Sequence, residues 1–265
     1  MEQPVRLAVI GGGNMGAALV QGLLRAGHSH ESLAVCEASA ARREVLAAMF
    51  PRVRLAESAP HCSDAIIAVK PADVPGACRA VVSAGAHRVV SIAAGVRVSV
   101  LQRACGDGVR VARAMPNTAA TVGLSATAVA FGDDCSTTDR EWALALLSCI
   151  GVVVEVPEPM LDAFTGLAGS GPAYVLYLAE ALQQAAIAEG FDAKVAADIV
   201  ARVLVGAAAL LEREPAMARE LRDRVTSPNG TTAAGLSVFE QRDVRQAIVD
   251  AVHAATLRSK ELGDA

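Results

Sequence analysis

Residues 7–27 read LAVIGGGNMGAALVQGLLRAG, an apolar run followed by a glycine-rich turn and a helical stretch. The turn has the pattern G-x-G-x-x-G, formed by Gly11, Gly13 and Gly16 with Asn14 and Met15 before the last glycine. Between a strand and a helix, this pattern predicts a dinucleotide-binding turn. The first glycine permits a tight turn, the second lets backbone approach a pyrophosphate, and the third lets helix and strand pack closely. The phosphates would lie at the amino terminus of the helix.

The chain up to about residue 157 repeats this alternation of short β-branched runs and helical stretches. The runs are VRLAVI (5–10), SLAVC (32–36), DAIIAV (64–69), RVVSIA (88–93), VRVARAM (109–115), LSATAVAF (124–131) and GVVVEV (151–156). Nearly continuous apolar runs are typical of strands buried on both faces of a parallel sheet, with crossover helices between them. The pattern predicts an α/β domain with a Rossmann-like, doubly wound sheet.

After Pro159 the strand pattern disappears, and apolar residues recur every three or four positions. Three segments have this period, at 173–190, 193–214 and 243–262. They predict long helices, ended by Gly190 and broken by Pro215. We therefore expect a dinucleotide-binding domain at 1–158 and an all-α domain at 159–265. Since few of the helix faces are polar throughout, the helical domain is expected to bury one face against another chain.

Composition and charge exclude several classes of function. Hydrophobic residues make up 53% of the 265 residues and charged residues 20%, as in a globular protein. The formal charge of −4 and the lack of any basic block argue against nucleic-acid or membrane partners. Charged residues also interrupt the apolar helices too often for a bilayer span. The close pair His28 and His30 has no cysteine or carboxylate cluster around it, so no metal site is predicted.

The six cysteines are scattered, contain no C-x-x-C pair and end at Cys149. This distribution is typical of reduced thiols, and we expect a cytoplasmic protein without disulfides. No signal peptide is expected, because the first apolar stretch runs into glycines after only a few residues.

Three further loops follow strands at the sheet edge where ligands bind in such folds. They are Ala68-Val69-Lys70-Pro71, Ala93-Ala94-Gly95 and Met115-Pro116-Asn117. The small residues of the second loop would let a flat ring approach the backbone. Lys70 would lie near a cofactor or, without one, reach out to water. Asn117 offers both a donor and an acceptor.

Glu37 follows the second strand, where an acidic side chain binds ribose hydroxyls and opposes a 2′-phosphate. This favours NADH. Arg42 and Arg43 follow within two helical turns and could either bind a phosphate or be solvated helix residues. The choice between NADH and NADPH therefore stays open at the level of sequence.

A second turn interrupts the helical half. Residues 225–235 read VTSPNGTTAAG. The segment can be a simple connector with a threonine helix cap, or it can be part of a binding site.

Taken together, these motifs resemble the pyrroline-5-carboxylate reductase family. The residues that carry the resemblance are Gly11 to Gly16, AVKP at Ala68 to Pro71, SIAAGV at Ser91 to Val96, AMPNT at Ala114 to Thr118, GLAGSGPAY at Gly166 to Tyr174, and TSPNGTT at Thr226 to Thr232. The chain departs from the family pattern at Ala119 and Asn229, where the family usually has proline and glycine. Asn tolerates positive φ, so we expect the turn at Asn229 to survive.

The resemblance implies reduction of the cyclic imine of 1-pyrroline-5-carboxylate to L-proline by NADH or NADPH. It further implies an interlocked homodimer, often assembled into rings, with the active site between the two domains. Gly230, Thr231 and Thr232 would begin a helix whose N–H groups hold the substrate carboxylate, and Thr232 would hydrogen-bond the ring nitrogen. The helix start at Ser170-Gly171-Pro172 would face the same substrate.

Two other functions are considered. The β-hydroxyacid dehydrogenases share the glycine turn and a G-x-x-G-x-G-x-x-x-K pattern, but Val175 and Ala179 occupy the positions of their lysine and asparagine. Alcohol oxidation needs a group that takes the hydroxyl proton, and this helix offers none. A non-catalytic NAD(P)H-binding protein would lose the carboxylate loop, whereas SPNGTT is retained.

Overall fold

The computed structural model describes residues 5–214 and 217–264. The helix break predicted at Pro215 lies outside these residues. The chain forms two compact units: unit 1 runs up to Ser170 and includes the segment from Ala254 onwards, and unit 2 is Gly171–His253. The predicted domain boundary at residue 158 stays a prediction.

Unit 1 is built on an eight-stranded sheet in the order β3-β2-β1-β4-β5-β6-β7-β8. The strands are β1 (Leu7–Ile10), β2 (Leu33–Cys36), β3 (Arg54–Ala56), β4 (Asp64–Ile67), β5 (Arg88–Ser91), β6 (Arg110–Met115), β7 (Ser125–Phe131) and β8 (Gly151–Glu155). Two expectations were incomplete. The three-residue edge strand β3 was missed, and β7 pairs antiparallel with β6 whereas the other neighbours are parallel.

The reversal at β7 follows from the length of its connection. Only a short 3-10 turn, Thr118–Val122, and its flanking residues join β6 to β7. A parallel pair needs a crossover of a dozen residues or more, so this connection returns the chain in the opposite direction. β8 again follows a helix and runs parallel to β7.

Helices cover both faces of the sheet, as the apolar strands predicted. They are α1 (Asn14–Arg25), α2 (Ala40–Met49), α3 (Val74–Ser83), α4 (Val98–Cys105) and α5 (Thr137–Ser148). Alternate residues of β1 enter different cores: Leu7 and Val9 pack with residues of α1, α2 and α5, while Ala8 and Ile10 pack with residues of α3 and α4. Side chains alternate across a strand, so one strand supplies both cores. The predicted Rossmann-like fold is confirmed.

The rest of the chain is helical. A short helix α6 (Leu161–Phe164) leads through a π-helical turn, Thr165–Gly169, to α7 (Gly171–Ala188), α8 (Ala193–Arg213), α9 (Ala218–Arg224), α10 (Thr231–Gln241) and α11 (Val244–Asp264). Gly190 ends the first long helix with a φ of 96°, as its position predicted. α7 and α8 pack against each other. The helical domain predicted for the second half is confirmed.

Many large apolar side chains of unit 2 are exposed. Examples are Leu176, Tyr177, Val203, Val205, Leu211, Val238 and Ile248. A contiguous set of such residues is typical of a protein interface.

All six cysteines are free thiols. Among residues 5–214 and 217–264, no helix combines the length and the apolar character needed to cross a membrane. Across the same described residues, no group of three His, Cys, Asp or Glu side chains is arranged to hold a metal ion.

Candidate active site

The glycine turn between β1 and α1 has the steric properties that its pattern predicts. Gly11 has a φ of 103°, and a Cβ there would lie 2.5 Å from the carbonyl oxygen of Ala68. A Cβ on Gly16 would lie 2.0 Å from the carbonyl oxygen of Gly11. Gly13, by contrast, faces open space, with no atom within 4 Å of an added Cβ.

Gly13 is also the N-cap residue of α1, and within the described residues no side chain caps this helix. The first N–H groups of an α-helix have no partner inside the helix and carry the positive end of its dipole. An uncapped helix start beside open space can bind an anion. The turn therefore fits the pyrophosphate of a dinucleotide.

The carboxylate of Glu37 lies against this turn. Its Oε2 accepts a hydrogen bond of 2.9 Å from the N–H of Gly12, and its Oε1 accepts one of 2.9 Å from the N–H of Ser39. Glu37 directly follows Cys36, the last residue of β2, whose thiol has a raised pKa because of burial and the neighbouring carboxylate. The thiol is therefore neutral at neutral pH.

Next to Cys36 lies a cavity of about 500 Å³. Ile10 and Cys36 line it from the ends of β1 and β2, together with Glu57 to Ala59 and residues from the start of α3. The Glu57 to Ala59 segment is not among the site residues predicted from the sequence. The cavity lies at the carboxyl ends of the parallel strands, where ligands of this fold class bind.

A second cavity, of about 310 Å³, brings together residues of all three predicted loops. Its lining includes Met15, Ala68, Val69, Pro71, Ala93, Ala94, Met115, Pro116 and Asn117. Thr118 also lines it, as do Ile92 and Gly169, which lie in the SIAAGV and GLAGSGPAY motifs but were not predicted to bind the cofactor. The walls are mostly apolar and small, so a flat ring can approach the backbone from this side.

Lys70 and Gly95 do not line this cavity. Lys70 is exposed, in keeping with the alternative reading in which its side chain reaches water. Gly95 has a φ of 77° and packs against the C-terminal segment, where an added Cβ would lie 3.3 Å from the carbonyl oxygen of Leu262. Gly95 thus lets the loop pass close beneath the last helix.

Asn117 acts as a brace between two turns. Its Nδ2 donates a 3.0 Å hydrogen bond to the carbonyl oxygen of Ala168, and its Oδ1 accepts one of 3.1 Å from the N–H of Ala119. These bonds hold the π-helical turn beside the 310 Å³ cavity, which Asn117 lines, and Gly169 packs there against Met115. The role of Asn117 in cofactor binding stays a prediction.

A largely buried charged network in unit 1 was not predicted from the sequence. Arg113, 5% exposed within β6, donates a 3.1 Å hydrogen bond to Glu158 and lies 3.8 Å from Asp162. Glu158 also accepts from the N–H of Val98 at the start of α4, at 2.7 Å. Ser259 donates to Asp162 at 2.8 Å. The network thus joins β6, α4, α6 and α11; the signal in the sequence was an arginine inside a buried strand.

Replacing Arg113 by methionine is expected to lower the free energy of unfolding by about 3 kcal/mol. The substitution leaves the carboxylates of Glu158 and Asp162 without their cation, and a buried ion pair that loses one partner is strongly destabilised. Urea unfolding followed by circular dichroism measures the change. Arg52→Met is the control, because the Arg52–Glu31 pair lies on the surface and should shift the midpoint little. A midpoint for Arg113→Met equal to that of the control would contradict the role of the network.

The TSPNGTT segment lies in unit 2 and forms a tight turn. The N–H of Gly230 donates to the carbonyl oxygen of Ser227 at 3.0 Å, and Asn229 has a φ of 58°. The expectation that Asn229 adopts positive φ is confirmed. Proline at the second position and a positive φ at the third are typical of a type II turn.

Helix α10 begins directly after this turn, at Thr231. Gly230 is its N-cap residue, and no side chain of the described part of the chain caps it. Thr231 and Thr232 are both exposed. The opening N–H groups of α10 are therefore available to an anion in the same way as those of α1.

Ser170, Gly171 and Pro172 lie at the start of α7. Ser170 follows the π-helical turn, and its N–H donates to the carbonyl oxygen of Thr165 at 2.9 Å. Pro172 is in the first helical turn, where the lack of an N–H has no cost. Unit 1 thus holds the predicted cofactor residues and Ser170, while Gly171, Pro172 and Gly230 to Thr232 belong to unit 2.

Comparisons with known proteins match both halves of the chain. A family model described as pyrroline-5-carboxylate reductase dimerisation matches residues 158–262, and one described as NADP oxidoreductase, coenzyme F420-dependent, matches residues 6–95. The chain is 37% identical to the pyrroline-5-carboxylate reductase of Mycobacterium leprae, over 99% of this chain and 98% of that protein.

Solved structures give the same result. A pyrroline-5-carboxylate reductase from Coxiella burnetii is similar with a TM-score of 0.90 and 29% identity, covering 98% of this chain and 99% of that one. The pyrroline carboxylate reductase of Plasmodium falciparum, solved with NADP bound, is similar with a TM-score of 0.85 and 26% identity, covering 99% of both chains.

Proposed function

The chain belongs to the pyrroline-5-carboxylate reductase family, and from this premise we propose how its residues reduce 1-pyrroline-5-carboxylate to L-proline with NADH or NADPH. The observation that carries the proposal is that the helices after the two glycine-containing turns, at Gly13 and at Gly230, both begin without a side-chain cap. One suits a pyrophosphate and the other a carboxylate. Together they match the two anionic groups that the reaction brings to the enzyme.

Unit 1 holds the cofactor in this proposal. The N–H groups from Gly13 to Gly16 bind the pyrophosphate, and Glu37 accepts hydrogen bonds from the ribose of the adenosine half. The 500 Å³ cavity takes the adenine, and the 310 Å³ cavity takes the nicotinamide. When bound, the reduced nicotinamide supplies the hydride. The apolar walls between Met15, Ala93 and Met115 keep water away from the ring.

The start of α10 holds the substrate. The N–H groups of Thr231 and Thr232 bind its carboxylate, and the hydroxyl of Thr232 hydrogen-bonds the ring nitrogen. Ser170, Gly171 and Pro172 form a further part of the substrate site. These contacts fix the imine carbon for hydride addition, so positioning supplies most of the rate enhancement.

The reaction is a two-electron reduction of a C=N bond. Hydride adds to the imine carbon, the C=N π electrons move onto nitrogen, and nitrogen gains a proton. A cyclic imine is electrophilic already, and more so when it is protonated, so it does not need to form a covalent bond with the enzyme. Threonine is a poor acid at neutral pH; Thr232 therefore orients the nitrogen and relays a proton from water.

The helical domain, residues 159–265, makes a homodimer in this proposal. The exposed apolar side chains of unit 2 support it, as does the match of residues 158–262 to a dimerisation model. We further propose that dimers assemble into a ring in the cytoplasm. Size-exclusion chromatography with light scattering tests the assembly, and a monomer in solution would contradict it.

A kinetic assay tests the reaction. The absorbance of NADH and of NADPH is followed separately with pyrroline-5-carboxylate, then with a 2-oxo acid, and finally the oxidised cofactors are tested with a 3-hydroxy acid. We expect turnover with the cyclic imine alone. Oxidation of the 3-hydroxy acid would favour a β-hydroxyacid dehydrogenase, and cofactor binding without any turnover would favour a non-catalytic NAD(P)H-binding protein.

A further inference from the structure

The carboxylate of Glu37, directly after β2, is held by two hydrogen bonds from the backbone. Both oxygens of Glu37 accept backbone hydrogen bonds of 2.9 Å, one from Gly12 and one from Ser39. Gly12 lies directly before Gly13, the N-cap residue of the phosphate-binding helix. The carboxylate is therefore tied to the same turn that we assign to the pyrophosphate.

A carboxylate in this position suits a pair of ribose hydroxyls. Each carboxylate oxygen has about two acceptor sites, and the backbone uses one of each. The remaining sites can accept one hydrogen bond from each hydroxyl of the adenosine ribose. A 2′-phosphate has no proton to donate when it is fully ionised, and it would place about two negative charges beside a carboxylate that two backbone hydrogen bonds hold in this position.

Two arginines, Arg42 and Arg43, could offset this repulsion. Arg43 already contacts other groups of the protein. Its NH1 donates to the carbonyl oxygens of Glu37 and Ala38, at 2.7 and 2.8 Å. Its NH2 lies 3.6 Å from the carboxylate of Glu57. The Arg43 side chain is 24% exposed. Its guanidinium thus stabilises the backbone after β2, and the carboxylate of Glu57 partly neutralises its charge.

Arg42 contacts the glycine turn itself. Its Nε donates to the carbonyl oxygen of Gly12 at 2.7 Å. The N–H and the carbonyl of Gly12 are thereby both used, by Glu37 and by Arg42, and the first part of the glycine turn is held from two sides. The terminal nitrogens of Arg42 have no hydrogen-bond partner among the described residues. Arg42 is accordingly the residue through which a preference for a 2′-phosphate would have to act.

We propose that Glu37 makes this enzyme select NADH over NADPH, and that Arg42 and Arg43 support the glycine turn and do not bind a 2′-phosphate. The inference rests on the cofactor site of the proposed function and goes beyond it by choosing between the two cofactors. It does not depend on the identity of the substrate that is reduced. The cofactor preference and the proposed reaction can therefore be tested separately.

Binding of cofactor fragments tests the preference without catalysis. Isothermal titration of the purified protein with ADP-ribose and with 2′-phospho-ADP-ribose compares ligands that differ by the phosphate alone. We expect wild type to bind ADP-ribose more tightly by about tenfold or more. Equal binding of the two fragments, or tighter binding of the phosphorylated one, would overturn the proposal.

Two variants distinguish the role of Glu37 from that of Arg42. Glu37→Gln removes the charge and keeps an acceptor for one backbone N–H, so the ratio of the two affinities should move at least several-fold toward 2′-phospho-ADP-ribose. Arg42→Met should weaken both fragments by the same factor, because it loosens the turn that both use. Loss of 2′-phospho-ADP-ribose binding alone in Arg42→Met would assign the phosphate to Arg42 and contradict the proposal.

Kinetics with both cofactors completes the test. The ratio of kcat/KM for NADH to that for NADPH, measured with pyrroline-5-carboxylate, should follow the fragment affinities in wild type and in both variants. An enzyme without reductase activity that still prefers ADP-ribose would overturn the proposed function and support this inference. If Glu37→Gln fails to fold, as judged by circular dichroism, the wild-type and Arg42→Met titrations still decide the question.

Discussion

Gly13→Val is expected to lower the affinity for the cofactor strongly while the protein still folds. Gly13 has φ −63° and ψ −170°, values that valine adopts without strain, and an added Cβ meets no atom within 4 Å. The added Cβ therefore enters open space, which we assign to the pyrophosphate. We expect affinity for ADP-ribose to fall by about 100-fold, equivalent to about 2.7 kcal/mol.

The stability of the same variant gives the second half of this prediction. Replacing a glycine at a compatible backbone conformation reduces the entropy of the unfolded chain, and this gain opposes the lower preference for valine at an N-cap, so the urea midpoint should change little. Calorimetric titration and urea unfolding on the same preparation measure both quantities. Wild-type affinity in Gly13→Val would rule out the glycine turn as the pyrophosphate site.

Gly16→Ala is the matched control because it should have the opposite signature. Its Cβ would lie 2.0 Å from the carbonyl oxygen of Gly11, so helix α1 and the turn at Gly11 must move apart. We expect a loss of about 2 kcal/mol in the free energy of unfolding, in the range typical of an overpacked core. The two glycines belong to one motif, yet one is required by the ligand and the other by the fold.

This difference explains why the glycine turn could be predicted from sequence. The three glycines belong to a single strand–turn–helix unit. The fold itself demands glycine at Gly11 and Gly16, and the pyrophosphate that we assign to the turn demands it at Gly13. The buried strands could be predicted for a similar reason, since a strand covered on both faces has to be apolar along its length. β3 was not predicted because an edge strand of three residues has no such pattern.

The charged network at Arg113 could not be predicted because its partners are distant in sequence. Arg113 and Glu158 are separated by 45 residues, and Asp162 and Ser259 by 97. Each looks like an ordinary polar residue until the sheet and the helices bring them together. The same holds for the hydrogen bond from Asn117 to Ala168, which joins residues 51 positions apart.

The residues assigned to the substrate depend on the family resemblance more than on local physics. Nothing in the spacing of TSPNGTT distinguishes a helix cap from a carboxylate site, and the structure gives only an uncapped, exposed helix start. The assignment of Thr232 therefore calls for a direct experiment, in which the hydroxyl is removed and the shape is kept.

Thr232→Val is expected to lower kcat/KM for pyrroline-5-carboxylate by about 100-fold, equivalent to about 2.7 kcal/mol of transition-state stabilisation. Valine keeps the branched shape but cannot hydrogen-bond the ring nitrogen or relay a proton. The backbone N–H groups of α10 remain, so the KM should change less than kcat. Affinity for ADP-ribose should equal that of wild type, because Thr232 makes no contact with the cofactor in our assignment.

Two further variants decide whether the hydroxyl itself is responsible. Thr232→Ser restores the hydroxyl and should recover most of the activity. Thr226→Val removes a hydroxyl from the same segment, but that hydroxyl donates to the carbonyl oxygen of Arg222 at 2.7 Å, so kcat/KM should stay close to wild type. Full activity in Thr232→Val would show that the nitrogen gains its proton without help from this side chain, and the binding of the ring would then depend on the N–H groups of α10 alone.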